Sequence, residues 1–188
     1  MLDPQRIEEA DVAAGLKLAE RRHEPAVRAA AKMGELSDQE PLYAISAVVL
    51  VAGAVTGNKR LATAGARMLA SAAAAAALKS LVKRSVTRTR PHVLMDEDRY
   101  ETDVGGSPDK PEQSFPSGHA AGGMAVARAL TRVYPRAGAV GLGAAAMAGL
   151  TRVLKGAHYP VDVMAGAAVG LVSEMLVNRL ARVIASAR

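Results

Sequence analysis

The sequence predicts an all-α protein, a helical bundle of five apolar helices with an amphipathic helix at its N-terminus. Two observations predict it. Half of the 188 residues are apolar, but they are mostly Ala, Val and Leu, with one Phe (Phe115) and no Trp. Ala and Leu favour helices, and β-branched or aromatic runs are few. The apolar residues also fall into five runs, each closed by Pro, Gly or a charged stretch that stops a helix. A chain of this length is one bundle rather than two domains of ordinary size.

Residues 1–40 are polar and carry both signs of charge, with helical periodicity in Ile7, Val12, Leu16 and Leu18. They read as a solvated or interfacial amphipathic segment preceding a helical domain at 41–188. Pro41 opens an apolar run over 42–56 that falls a little short of the roughly 20 residues of a full membrane span. Tyr43 on one side and Lys59-Arg60 on the other suit a membrane boundary. Residues 61–82 form the second run, around an alanine stretch at 72–77. Small residues there let neighbouring helices approach closely, while Arg67 and Lys79 must face the bundle or reach toward water.

A basic stretch at 83–90 follows, then Pro91 and a polar segment at 92–114 rich in Asp, Glu, Gly and Pro, which reads as one long loop. Loops of this length inside a compact domain are usually functional or disordered. Helical pattern resumes over 117–133, is broken by Pro135, runs over 137–154, stops at Gly156 and runs again over 160–184.

Several function classes are excluded. The chain has no Cys, so disulfide frameworks, thiol nucleophiles and Cys-bound zinc are ruled out. The net charge of +6 is dispersed, without a helix-turn-helix, RNA-binding or zinc-finger pattern, so no nucleic-acid partner is expected. Charges flanking a membrane and an anion pocket account for it together. The first forty residues lack the apolar core of a secretory signal. No cofactor is called for, and nothing speaks to oligomeric state.

Three short segments hold the chemistry: Lys83 and Arg90-Pro91 in KRSVTRTRP, then Pro116-Ser117-Gly118-His119, then Thr151-Arg152, His158 and Asp162 in TRVLKGAHYPVD. Lys83 and Arg90 follow the second apolar helix and Ser117 caps the start of the third. Arg152 ends the fourth, and His158 and Asp162 straddle the start of the fifth, where Pro160 suits a first turn. In an up-and-down bundle these ends share one face. Lys83, Arg90 and Arg152 then neutralise phosphate oxygens without a metal. The N–H groups of Ser117 and Gly118 offer an anion the positive end of a helix, and Gly118 admits it closely. His158, if neutral, attacks phosphorus; Asp162 holds its far ring nitrogen; His119 protonates the leaving oxygen and later activates water.

The same segments resemble the type 2 phosphatidic acid phosphatase superfamily, whose pattern is K-x6-RP, then PSGH, then SR-x5-H-x3-D. Only Thr151 departs from it, keeping the hydroxyl of the usual Ser. The resemblance covers roughly residues 60–180 and leaves the N-terminal forty outside. It implies His158 as nucleophile, His119 as acid, Asp162 as partner of the nucleophile, and Lys83, Arg90, Ser117, Gly118 and Arg152 as phosphate ligands. It also implies no metal, a lipid phosphate or diphosphate monoester as substrate, and membrane lipids as surroundings. A soluble acid phosphatase or vanadate-dependent haloperoxidase with the same site, and a non-catalytic lipid-phosphate binder, are the alternatives; two retained histidines speak against the last.

Other charges read as solvated: Arg84 and Arg88, which could lean toward a second phosphate, and His23 and His92, which have no partner pattern. Lys155, three residues beyond Arg152, is an auxiliary anion contact at most. Lys59, Arg60, Arg132, Arg136, Arg179 and Arg182 fall at helix ends opposite the site, which places those ends in the cytoplasm and the site outside a cell membrane.

Overall fold

A computed structural model describes residues 3–187; Met1, Leu2 and Arg188, the outer ends of the two expected segments, lie outside the described residues. Two N-terminal helices, rather than the one expected, occupy the polar segment: α1 (Pro4–Ala19) and α2 (Pro25–Gly34), with short 3-10 turns after each. Pro4 and Pro25 each start a helix at a position where their missing N–H costs nothing. Neither helix is free in solution. The first packs on α5, α7 and α8, and the second on α7 (ranges below).

The bundle proper begins with α3 (Gln39–Val55) and α4 (Lys59–Lys83), an antiparallel pair turned by Gly57 at φ 68°. Asn58 caps α4, its side chain accepting from Leu61 N–H at 3.0 Å. Next come β1 (Val86–Arg88), α5 (Pro91–Glu97) and β2 (Thr102–Val104), then α6 (Gly118–Thr131), α7 (Pro135–Leu154) and α8 (Pro160–Ser186). Helix α6 is the hub, packed on α4, α7 and α8.

The expectation of one long loop at 92–114 is corrected here. The strands β1 and β2 pair antiparallel, with Arg88 opposite Thr102, and α5 fills part of the interval. Their stabilising contacts are tertiary, which a local reading of Gly, Pro and acidic residues misses. Ser114 N–H donates to Arg88 O at 2.9 Å and Arg90 N–H to Pro111 O at 2.9 Å, so the hairpin stitches the first motif to the second.

The expectation of five apolar spans holds in part. Helices α4, α7 and α8 are long and apolar enough to cross a membrane, and α3 is a shorter apolar helix. With 14 residues α6 reaches only about 21 Å against a hydrocarbon core of about 30 Å. Its central place explains its tolerance of that length, since its neighbours rather than lipid surround it.

The last helix carries polar residues inside and apolar ones outside. On α8, Ser173, Glu174 and Asn178 are buried, whereas Met164, Met175, Leu176 and Leu180 are exposed. The buried Glu174 carboxylate accepts two hydrogen bonds from Arg132, at 2.9 and 3.2 Å. Asn178 accepts one from Arg67 at 2.9 Å, the inward-facing solution that an ionisable residue in a span requires.

Helices α6 and α8 meet backbone to backbone at glycines. A Cβ on Gly166 would lie 2.3 Å from Ser117 O, and one on Gly170 would lie 2.3 Å from Ala121 O. Small residues four apart allow this approach. Gly170→Ala is expected to destabilise the detergent-solubilised protein by roughly 1–3 kcal/mol, as overpacking does. Gly143→Ala, where a Cβ meets nothing within 4 Å, is expected to hold or slightly raise the melting temperature, since Ala is the better helix former. Equal melting temperatures for the two variants would contradict this account of the packing.

Candidate active site

The sequence motifs converge at one end of the bundle. The C-terminal ends of α4 and α7 and the N-terminal ends of α6 and α8 bring Lys83, Arg152, Gly118 and Asp162 to that end, with Arg90 delivered by the short link between β1 and α5. Ser117 N–H donates to the backbone carbonyl of Asp162 at 2.9 Å, tying the starts of α6 and α8 together. The Phe115–Pro116 bond just before is cis.

Asp162 is fully buried and its carboxylate is saturated. It accepts from Arg88 Nη1 at 2.6 Å, from Ser114 Oγ at 2.6 Å and from Tyr159 N–H at 2.8 Å. The last bond makes Asp162 the acidic residue of the first turn of α8 that reaches back to its cap. The expected bond from Asp162 to the far nitrogen of His158 is not formed. Nδ1 of His158 lies 3.8 Å from the carboxylate and 2.7 Å from the backbone carbonyl of Ser114. A carbonyl only accepts, so Nδ1 carries the proton and Nε2 keeps the lone pair. Burial lowers the pKa of His158 below the ordinary histidine value; Asp162 opposes this, and Arg90 and Lys83 add to it.

Three motif residues among the described ones carry a buried side-chain polar atom without a hydrogen-bond partner: Arg90 Nε, Ser117 Oγ and Arg152 Nε. An unpaired buried donor costs about 1–3 kcal/mol, so their concentration in one layer marks a place prepared for an acceptor. Burial also pulls the pKa of Arg90 below its ordinary value, with Asp162 opposing and Arg152 reinforcing the effect. Two guanidiniums near enough to repel each other favour an anion between them.

Some expected details differ. Ser117 occupies the cap position of α6 without a side-chain capping bond. Its N–H is committed to Asp162, so the helix N-terminus offers an anion Gly118 and the residues after it. Lys83 Nζ donates to Gln113 O at 2.6 Å. The Thr151 hydroxyl donates to Ala148 O at 2.7 Å, within its own helix. Arg152 Nη2 lies 3.5 Å from Ala31 O of α2.

Several residues at the site carried no sequence signal. Arg88, expected to be solvated, is buried among Asp162, Asp11 and Glu8, with its guanidinium 4.2 Å over the Tyr159 ring. Asp11, from the segment outside the family pattern, accepts from Arg88 at 2.7 Å and from Val161 N–H at 2.9 Å. Asp38 places a carboxylate oxygen 2.7 Å from His119 Nε2, an ion pair when His119 is protonated. Lys79 is the one with a legible hint: it sits four residues before Lys83, and a Cβ on Gly118 would lie 3.1 Å from its Cδ. Among the described residues no group of three or more His, Asp or Glu is placed to hold a metal ion.

Long helices with apolar outer faces around a buried layer of cations and histidines define an integral membrane protein with that polar layer at one end of its bundle. The chain belongs to the PAP2 superfamily, whose family pattern matches residues 64–184. It is 36% identical over 107 residues to a lipid A 1-phosphatase of Rhizobium etli, a match covering 56% of this chain and 45% of that protein. It is 38% identical over 93 residues to a lipid A 1-phosphatase of Rhizobium johnstonii, covering 50% and 38%. The chain thus spans less than half the length of the curated relatives it matches.

Two solved structures share the fold. Aquifex aeolicus LpxE superposes with a TM-score of 0.61 at 20% identity, covering 88% of this chain and 92% of that one. A transmembrane PAP2-type phosphatidylglycerolphosphate phosphatase from Bacillus subtilis superposes with a TM-score of 0.66 at 21% identity, covering 95% and 88%.

Proposed function

We propose that the chain is a membrane-embedded phosphatase that releases phosphate from a lipid phosphate or diphosphate monoester through a phosphohistidine. The observation that carries the proposal is the set of three unpartnered buried polar atoms on Arg90, Ser117 and Arg152 beside a histidine with a free Nε2 lone pair. A lipid-phosphate binder without catalysis would have no use for that lone pair.

In the proposed reaction His158 Nε2 attacks phosphorus in line, and the bond from phosphorus to the lipid oxygen breaks. His119 gives that oxygen its proton. Water then attacks the phosphohistidine, His119 takes a proton from it, and phosphate leaves with His158 neutral again. Lys83, Arg90, Arg152, Ser117 and the Gly118 N–H hold the three non-bridging oxygens, work otherwise done by a metal ion. Asp162 acts at one remove. It fixes the Ser114 side chain while the carbonyl of the same residue orients His158. The N-terminal segment belongs to the working unit in this reading, because Asp11 and Asp38 reach the site.

The names of the relatives suggest which lipids to try first: lipid A bearing a 1-phosphate, then phosphatidylglycerol phosphate. An isoprenyl diphosphate and phosphatidate complete the set. We also propose that the site faces away from the cytoplasm across a bacterial inner membrane. The support is the arginines of the opposite end, among them Arg60, whose Nη2 bonds Val133 O at 2.7 Å. Purified protein in detergent is expected to release phosphate from at least one of these four lipids at an undiminished rate in excess EDTA. Inertness toward all four, or loss of release on chelation that a divalent cation restores, would overturn the proposal.

A further inference from the structure

A groove of about 630 Å³ lies beside the phosphate residues, between α2, α5 and the turn that follows α7. Four cations line it: Arg22, Arg28, Lys32 and Lys155. Two carboxylates oppose them, and one of these, Asp96, is already paired with Arg22 at 2.5 Å. Among the described residues Arg28, Lys32 and Lys155 have no carboxylate within 4.0 Å, so the groove keeps a positive excess. Lys155 is the residue from the third motif that the reaction leaves unused, three positions after Arg152.

The groove and the candidate phosphate site share a wall. Ala31 lines the groove, and its carbonyl is the acceptor 3.5 Å from Arg152 Nη2. The C-terminal turn of α7 runs from Arg152 to Lys155, about 5 Å along the axis. Two histidines also line the groove, His23 and His92, and His92 is held by Nδ1 against Gly156 O at 3.0 Å.

We propose that this groove is a second anion subsite, which takes a phosphate or carboxylate borne by the headgroup of the same lipid whose phosphate monoester meets Arg152. The inference rests on the lipid-phosphate reading above and narrows it to headgroups with two anionic groups. Unpaired Lys and Arg side chains on a shared wall with the reacting centre give such a headgroup a fixed second foothold. A headgroup with one phosphate leaves it unused.

The test uses the full chain carrying His158→Ala, which binds without turnover, in detergent. Dodecyl phosphate is compared with dodecyl lipids that carry a second phosphate on spacers of graded length. We expect one spacer length to bind roughly tenfold more tightly than dodecyl phosphate, the scale of one or two charge-assisted contacts. Arg28→Gln with Lys32→Gln and Lys155→Gln is expected to remove that gain and leave dodecyl phosphate binding unchanged. Affinity that rises with charge at every spacer length, or falls equally for both lipids in the variant, would show a general surface field and overturn the subsite. Binding of inorganic phosphate or phosphatidylglycerol as tight as that of the best two-phosphate lipid would make it a free-anion or bulk-lipid site and overturn the proposal. Turnover of the four lipids by the wild type is scored separately, so failure of the phosphatase reading is distinguishable from failure of the subsite.

Discussion

His158→Ala is expected to lower phosphate release by about a thousandfold or more while the protein stays folded, because it removes the atom that forms the covalent intermediate. The neighbours of His158 make this a strong expectation. Nδ1 is committed to Ser114 O at 2.7 Å, so all available nucleophilicity lies on Nε2, and Asp162 at 3.8 Å cannot take its place. A rapid-quench experiment with phosphorus-labelled lipid should trap acid-labile, base-stable label on the wild type and none on the variant. Label persisting in the variant would move the nucleophile elsewhere.

The pH profile follows from the same burial. His158 must be neutral to attack, and its pKa is lowered, so the acid limb that its protonation produces should lie below about 6.5. The alkaline limb belongs to His119, which must carry the proton it donates. Stability has the same sign. Below about 6.5 the unfolded chain takes up a proton that the folded His158 refuses, so the protein loses stability as pH falls from there toward the lowered folded value.

The helices and the motifs were legible because their signals are local. Runs of Ala, Leu and Val closed by Gly57, Pro135 and Gly156 mark helix ends within a few residues. Lys83, Arg90, Ser117, Arg152 and His158 announced themselves by residue type at helix boundaries. What was illegible depends on partners far along the chain. The strands β1 and β2 are three residues each, too short for an alternating pattern, and exist because Arg88 pairs with Thr102 and bonds Ser114. Asp38 and Asp11 look like ordinary solvated carboxylates in a polar segment, and only the docking of α1 and α2 brings them to the site. The direction of the Asp162 carboxylate was also beyond spacing alone. The i to i+4 separation from His158 permits a bond, but Arg88 and Ser114 compete for the same oxygens at 2.6 Å and win.

That competition makes Arg88 the other position where a single change should cost most. Arg88→Met keeps the length of the side chain and removes the charge that Asp162, Asp11 and Glu8 share. Removing one member of a buried ion cluster costs about 3–5 kcal/mol, because the others are left unpaired in a poor dielectric. Chemical unfolding in detergent should show a loss on this scale, partly relieved by Asp11→Asn on the same chain, since that substitution withdraws one stranded charge. A scaffolding role alone predicts nothing further. A positioning role for Arg88 predicts a change in chemistry as well: with its cation gone, the Asp162 charge is no longer shared and acts more strongly on His158. The imidazolium is then favoured, and the acid limb of kcat should move to higher pH in the fraction that folds, with KM changing less than kcat. Loss of stability with an unmoved acid limb would confine Arg88 to the fold. A moved limb would make the Asp11–Arg88–Asp162 chain the route by which the N-terminal helices set the protonation of the nucleophile.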